Sequence, residues 1–168
     1  MSISMYAASV PVFKQILGSL AAILEKAETH AAAKKIDPQA LLQARLFPDM
    51  FGLTRQIQIA ADLAKGAAAR LGGVEVPRYE DNEQSFADLQ ARIAKTLAFI
   101  DSVPSAQIED SEVRDITLSA GSNTLNFKGL SYLLHFVLPN FLFHATTAYD
   151  ILRHNGVELS KKDFLGKF

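Results

Sequence analysis

A chain of 168 residues with 17 Lys and Arg against 18 Asp and Glu, a net charge of −1, is about one domain and has no basic block to serve as a nucleic-acid footprint. The absence of cysteine excludes disulfides, thiolate zinc sites and thiol nucleophiles together, and suits a reducing compartment. With 49% apolar residues but no run reaching the ~18 uninterrupted apolar residues of a membrane span, and no basic-then-apolar leader, the expectation is one soluble, cytoplasmic domain over residues 1–168.

In chain order, Ile3, Tyr6, Val10, Phe13, Leu17, Leu20, Leu24 and Ala27 recur at three or four residues and predict a long amphipathic first helix. Pro11 predicts a kink or a second start there, capped by Ser9. His30 is expected to be exposed near the helix end. Asp37-Pro38 predicts a cap and first position for a short helix through QALLQARL. After the break at Pro48, a second long helix opens at Asp49 and Met50, runs through Ile57, Ala61, Ala64 and Leu71, and closes at Gly72-Gly73. Its Gln56, Gln58 and Asp62 either project to solvent or line a cavity.

Val74 to Ser85, with the acidic cluster Glu80, Asp81 and Glu83, reads as a loop. A third long helix follows from Ser85 through Phe86, Leu89, Ile93, Leu97 and Ile100, ending before Pro104. The period then changes to two over Val113–Ser119 and Thr124–Lys128, predicting a β-hairpin turning at Gly121-Ser122-Asn123. A lone hairpin is marginal, so it has to pack on the helices or on a second chain. Gly129 to Phe136 reads as a helical lead-in to a last helix with Pro139 near its start and Asn155-Gly156 as its left-handed stop. The apolar tail residues Phe164, Leu165 and Phe168 predict docking on the domain or on a second subunit.

The sequence has no phosphate loop, nucleophile elbow, HExxH or calcium loop. One constellation remains. On the last helix, Asn140 and His144 are four residues apart, the spacing of a two-ligand metal motif facing the bundle interior. Asparagine is a poor transition-metal ligand, because a neutral carbonyl oxygen has neither the charge of a carboxylate nor the basicity of imidazole. Gln56 or Gln58 could join this pair from the second long helix, with Tyr149 and Asp150 nearby. The plainer alternatives are a core histidine bonded to a carbonyl or amide, and an Asp150 paired with Arg153 or His154 at the surface. His135 is expected in the core or an interface.

The opening SMYAASVPVFKQIL, the segment RLFPDMFGLTRQIQIAADLAKGAAARL and above all LLHFVLPNFLFHATTAYDILRHNGV resemble an uncharacterised bacterial family of unknown function within the DinB/YfiT-like metalloenzyme superfamily. The resemblance spans essentially the whole chain. It implies an all-α fold, a four-helix up-down-down-up bundle with the small β-hairpin before the last helix, often as a homodimer. It also implies a divalent metal, zinc or nickel, held by one histidine of the second long helix and an H-x-x-x-H pair of the last, serving hydrolases or transferases that activate a thiol such as mycothiol or bacillithiol. By this correspondence His144 matches the second histidine of the pair and Asn140 replaces the first. The remaining ligand falls near Gln58, with Gln56 as the other choice. One imidazole and two amides make a degenerate site that holds zinc or nickel poorly. The expected function is therefore small-molecule binding in a bundle-centre pocket floored by Asn140, His144 and Gln58. The alternatives are an enzyme, metal-dependent or using His144 as general base, and a purely structural dimeric interaction module.

Overall fold

In the computed structural model, which describes residues 3–120 and 123–167, the first helix starts at Val10 and not at Ile3. This helix, α1 (Val10–Lys34), places Pro11 in its first turn, where the missing N–H would have had no partner anyway. Ser9 does not cap it. The Ser9 hydroxyl instead donates backwards to the Met5 carbonyl at 2.6 Å, tying the preceding turn to the helix start. α1 runs four residues past His30, which is half-buried within it and not exposed at its end.

α2 (Pro38–Leu42) begins as expected, the Asp37 carboxylate accepting the Gln39 N–H at 3.0 Å. α3 (Leu53–Gly72) starts behind Gly52, three residues after Asp49, and stops at the left-handed Gly73. The segment from 74 to 85 has no regular structure until the Ser85 hydroxyl accepts the Asp88 N–H at 3.1 Å and starts α4 (Phe86–Ser102). A single unforeseen turn, α5 (Ser105–Ile108), follows Pro104.

Strands β1 (Asp115–Ala120) and β2 (Asn123–Lys128) pair antiparallel from Asp115 opposite Lys128 to Ala120 opposite Asn123. Gly121 and Ser122 of the expected turn lie outside the described residues, and Asn123 belongs to β2. The hairpin packs on its own chain: Ile116 is buried, and the Phe127 ring lies 5.9 Å from Tyr132 and 5.3 Å from Phe136.

The last helix is one rod in three parts: α6 (Gly129–Ser131), a π-helical stretch (Tyr132–Val137) and α7 (Leu138–His154). The widened turn has a local cause. Pro139 has no N–H to give the His135 carbonyl and its ring would strike that carbonyl, so the backbone before it opens to the i−5 pairing of Leu138 N–H with Leu133. His135, in this stretch, is exposed rather than in the core. Asn155 keeps right-handed geometry, so the left-handed stop falls on Gly156 alone.

The tail forms α8 (Lys161–Leu165), started by a reciprocal cap between Ser160 and Asp163. It docks on its own domain: Phe164 meets Tyr149 edge-on at 5.9 Å, Lys26 pairs with Asp163 at 2.7 Å, and Gln15 donates to the Leu165 carbonyl at 2.8 Å. Phe168 lies outside the described residues.

α3 lies at the centre of this mostly helical fold. Its buried Ala60, Ala61, Ala64, Ala67 and Ala68 let α4 and α7 approach closely, while Phe13, Leu17, Leu20 and Leu24 of α1 close the core from the remaining side. Among the described residues no helix is long and apolar enough to cross a membrane.

Gly129 fixes how the hairpin meets the last helix. Its N–H donates to the Arg114 carbonyl at 2.9 Å, and a Cβ at this buried position would run into the Ser111 carbonyl oxygen. Because backbone, not a flexible side chain, is the obstacle, Gly129→Ala is expected to cost about 1–3 kcal/mol in urea unfolding, with the transition still cooperative. A change within about 0.5 kcal/mol, the range of ordinary surface substitutions, would contradict this packing.

Candidate functional site

His144 stands half-buried on α7, and its Nδ1 lies 2.6 Å from the Gln56 Oε1 of α3. A carbonyl oxygen only accepts, so the imidazole donates from Nδ1 and its neutral tautomer leaves the lone pair on Nε2. The orientation of Gln56 is itself fixed, because its Nε2 donates to the Phe51 carbonyl at 3.0 Å, turning Oε1 towards the ring. Gln56 is 1% exposed, so the pair is a satisfied buried contact and not a solvated amide. Phe143 meets the His144 ring edge-on at 5.2 Å. Burial disfavours the charged imidazole, and the nearby Arg55 guanidinium adds to this, so the His144 pKa is lowered from its ordinary value.

Asn140 is half-buried one turn before His144 and makes no side-chain hydrogen bond among the described residues. Gln58 does not join them. It too is buried, 4% exposed, but points away from His144: its Nε2 donates to the Glu83 carboxylate at 2.7 Å and its Oε1 accepts from Arg55 at 3.1 Å. Gln58 and Glu83 line an open cleft of about 560 Å³ with Gln39, Gln43 and Arg45, and neither His144 nor Asn140 is among its lining residues. The floor expected from Asn140, His144 and Gln58 is thus split, with Gln56 as the α3 partner of His144. Tyr149 packs under α8, and Asp150 forms no ion pair with Arg153 or His154 among the described residues.

Sequence reasoning missed the polar cluster on the other side of α3. Arg92 of α4, its side chain 1% exposed, holds Asp62 and Asp81 at 2.9 Å each, Glu83 at 2.8 Å and the Glu80 carbonyl at 3.0 Å. Asp62 also takes the Lys65 ammonium at 2.7 Å, and Arg55 pairs with Asp81. The ammoniums of Lys65 and Lys95 sit 3.8 and 4.2 Å from the Tyr79 ring centroid. The cluster straps the irregular 74–85 segment to α3 and α4. A signal was available: Arg92 falls on the apolar stripe of its helix, directly after an acidic cluster that needed a cation.

The residues present do not fit a zinc or nickel centre. Among the described residues no three His, Cys, Asp or Glu side chains gather where a metal could be held. Of the two α3 positions the resemblance offers, Gln58 is bonded to Glu83 and Arg55, and Gln56 already accepts the imidazole N–H with a carbonyl that is a weak ligand.

A model of the family described as a domain of unknown function, DUF1993, matches residues 5–165. The chain belongs to the DUF1993 family. Among solved structures, it is similar to a DinB family member protein from Shewanella denitrificans, with 40% sequence identity, a TM-score of 0.87, and coverage of 97% of this chain and 92% of that one. No curated protein matches. The resemblance to an uncharacterised DinB-like family is therefore established over residues 5–165.

The His144 contact makes a checkable statement about pH. The folded-state pKa lies below the unfolded value, so the unfolded chain binds more protons and this group's contribution to stability falls as pH drops through the window below about 6.5. NMR titration of the ring is expected to give a midpoint below that of a free histidine and an Nδ1–H tautomer at neutral pH. A midpoint at or above the ordinary value would refute the buried contact with Gln56.

Proposed function

We propose that this DUF1993 protein is a DinB-like four-helix bundle in up-down-down-up order, whose metal site is replaced by the His144–Gln56 pair and which binds a small organic molecule beside it. The packing of α3 against both α4 and α7, with α1 against all three, supports that helix order. The observation that carries the reading is the 2.6 Å contact between His144 Nδ1 and Gln56 Oε1. It ties one imidazole nitrogen to protein and leaves Nε2 as the acceptor for a ligand donor, with the exposed Phe51 and Phe143 supplying apolar contact and Asn140 a further unpaired amide. The same neutral ring has the protonation state of a general base, which favours a metal-free reaction over a metal-dependent one as the enzymatic alternative.

Metal analysis and ligand screening separate these readings. After dialysis against zinc or nickel the protein is expected to retain well under one equivalent, and an NMR fragment screen is expected to yield compounds that shift the His144 ring signals and lose binding in His144→Ala. That variant should also lose about 1–3 kcal/mol of stability, the cost of leaving Gln56 Oε1 buried without a donor. Stoichiometric metal that disappears with His144 overturns the proposal, and so does a screen in which nothing touches the ring.

A homodimer is supported by a separate observation. Leu130, Leu134 and Leu142 recur at intervals of four or eight residues along the last helix and are all exposed, as is Phe143. A second copy covering this line would be dissociated by Leu134→Glu in sedimentation experiments. A wild-type chain that sediments as a monomer at micromolar concentration rules the dimer out.

A further inference from the structure

The groove between α3 and the hairpin holds an arginine with no acid to answer it. Arg70, in the last turn of α3, lines a cavity of about 330 Å³ together with Arg55, Asp62 and Tyr132. Two of the three charges there are already matched within the chain: Arg55 pairs with Asp81, and Asp62 takes Lys65 at 2.7 Å and Arg92 at 2.9 Å. Arg70 forms no ion pair among the described residues. Its one side-chain hydrogen bond among the described residues runs from Nη1 to the hydroxyl of Tyr132, 3.2 Å away, on a ring that is fully buried.

The guanidinium is also seated. A Cβ on Gly66, one turn earlier in α3, would collide with Arg70 Nη1, so the glycine leaves the space in which the group lies back along its own helix. A glycine inside a helix is destabilising relative to alanine. Here the missing methyl and the Tyr132 hydroxyl together hold a cation in place before any ligand arrives, which lowers the ordering cost of binding. Apart from Ser119, the rest of the groove is apolar: Ile59 and Leu63 from α3, Leu118 and Leu125 from the hairpin, and Phe136 from the π-helical stretch.

We propose that this groove binds a small monocarboxylic acid with an apolar body, its carboxylate on the Arg70 guanidinium and its hydrocarbon along the Ile59, Leu63 and Leu118 wall. A carboxylate suits the guanidinium fork, which offers two parallel donors, whereas a neutral polar head would leave the charge unanswered. The apolar walls select against small hydrophilic anions, because these bury none of that surface. This site does not involve His144 or Gln56 and stands apart from the reading of that pair.

The test uses octanoate and octanamide as probes on the full chain, followed by calorimetry and by NMR shifts of Leu118 and Leu125 methyl groups. Octanoate is expected to bind and to move those methyls, and octanamide to bind at least tenfold more weakly. Arg70→Gln should weaken octanoate at least tenfold and Gly66→Ala severalfold, the latter keeping the charge but displacing it. Arg153→Gln, which removes an exposed arginine elsewhere, should leave affinity within twofold. Equal affinity for acid and amide overturns the proposal, as does octanoate binding that survives Arg70→Gln or leaves the hairpin methyls unmoved. If Arg70→Gln proves unfolded by circular dichroism, the acid–amide comparison on the unaltered chain decides alone.

Discussion

The enclosure of α3 is the constraint from which most of this molecule follows. A helix touched by α1, α4, α7 and the π-helical stretch has little solvent to offer its polar side chains, so each has to find a partner inside the chain. Gln56 finds His144, Gln58 finds Glu83, Asp62 and Lys65 find each other and Arg92, and Arg70 finds Tyr132. The alanines between them make the enclosure feasible, since side chains of that size let neighbouring helices come close without leaving voids. Polar groups spaced along such a helix therefore define separate sites on its different sides.

That separation explains why the fold was more legible than the site. Helix stops and starts were written in residues with one local meaning: Asp37-Pro38, Ser85, Gly72-Gly73, and the change of period at the hairpin. Where a start depended on tertiary fit, the reading drifted, as at Ser9, whose hydroxyl turns back to Met5, and at Asp49, which the helix leaves outside. The choice between Gln56 and Gln58 was of a different kind. Two residues on a helix differ by roughly 200°, so Gln56 faces His144 of α7 while Gln58 faces Glu83 of the 74–85 segment, and two amides of the same kind carry no signal that tells these directions apart. Only the position of α7 resolves them.

Pro139 shows a local rule acting at a distance. Its missing N–H widens the turn before it, and a π-helical stretch rotates everything that follows relative to an unbroken helix. Tyr132 and Phe136 lie within the widened turn and meet Phe127 of the hairpin, whereas Phe141 beyond it meets Phe13 of α1 edge-on at 5.2 Å. Without the bulge the two halves of this helix would not present their aromatic faces to those two different neighbours. The sequence placed Pro139 near a helix start behind a helical lead-in over Gly129 to Phe136, but carried no sign that the two would join as one rod through a widened turn.

The same geometry bears on what a histidine can do at this place. A metal ligand needs its donor nitrogen free and its other nitrogen held by an acceptor, and companions that bring charge or basicity. His144 satisfies the second condition through Gln56 Oε1, and that partner brings neither charge nor basicity. An amide can orient an imidazole or ligate a cation weakly, and here it is committed to orientation by its own bond to the Phe51 carbonyl. Lowering the pKa by burial then keeps the ring neutral at physiological pH. A neutral, oriented imidazole beside exposed aromatic rings is what the proposed ligand-binding reading rests on. The arrangement is self-consistent as a hydrogen-bonded contact that ties α7 to α3, with each polar atom of Gln56 given one partner.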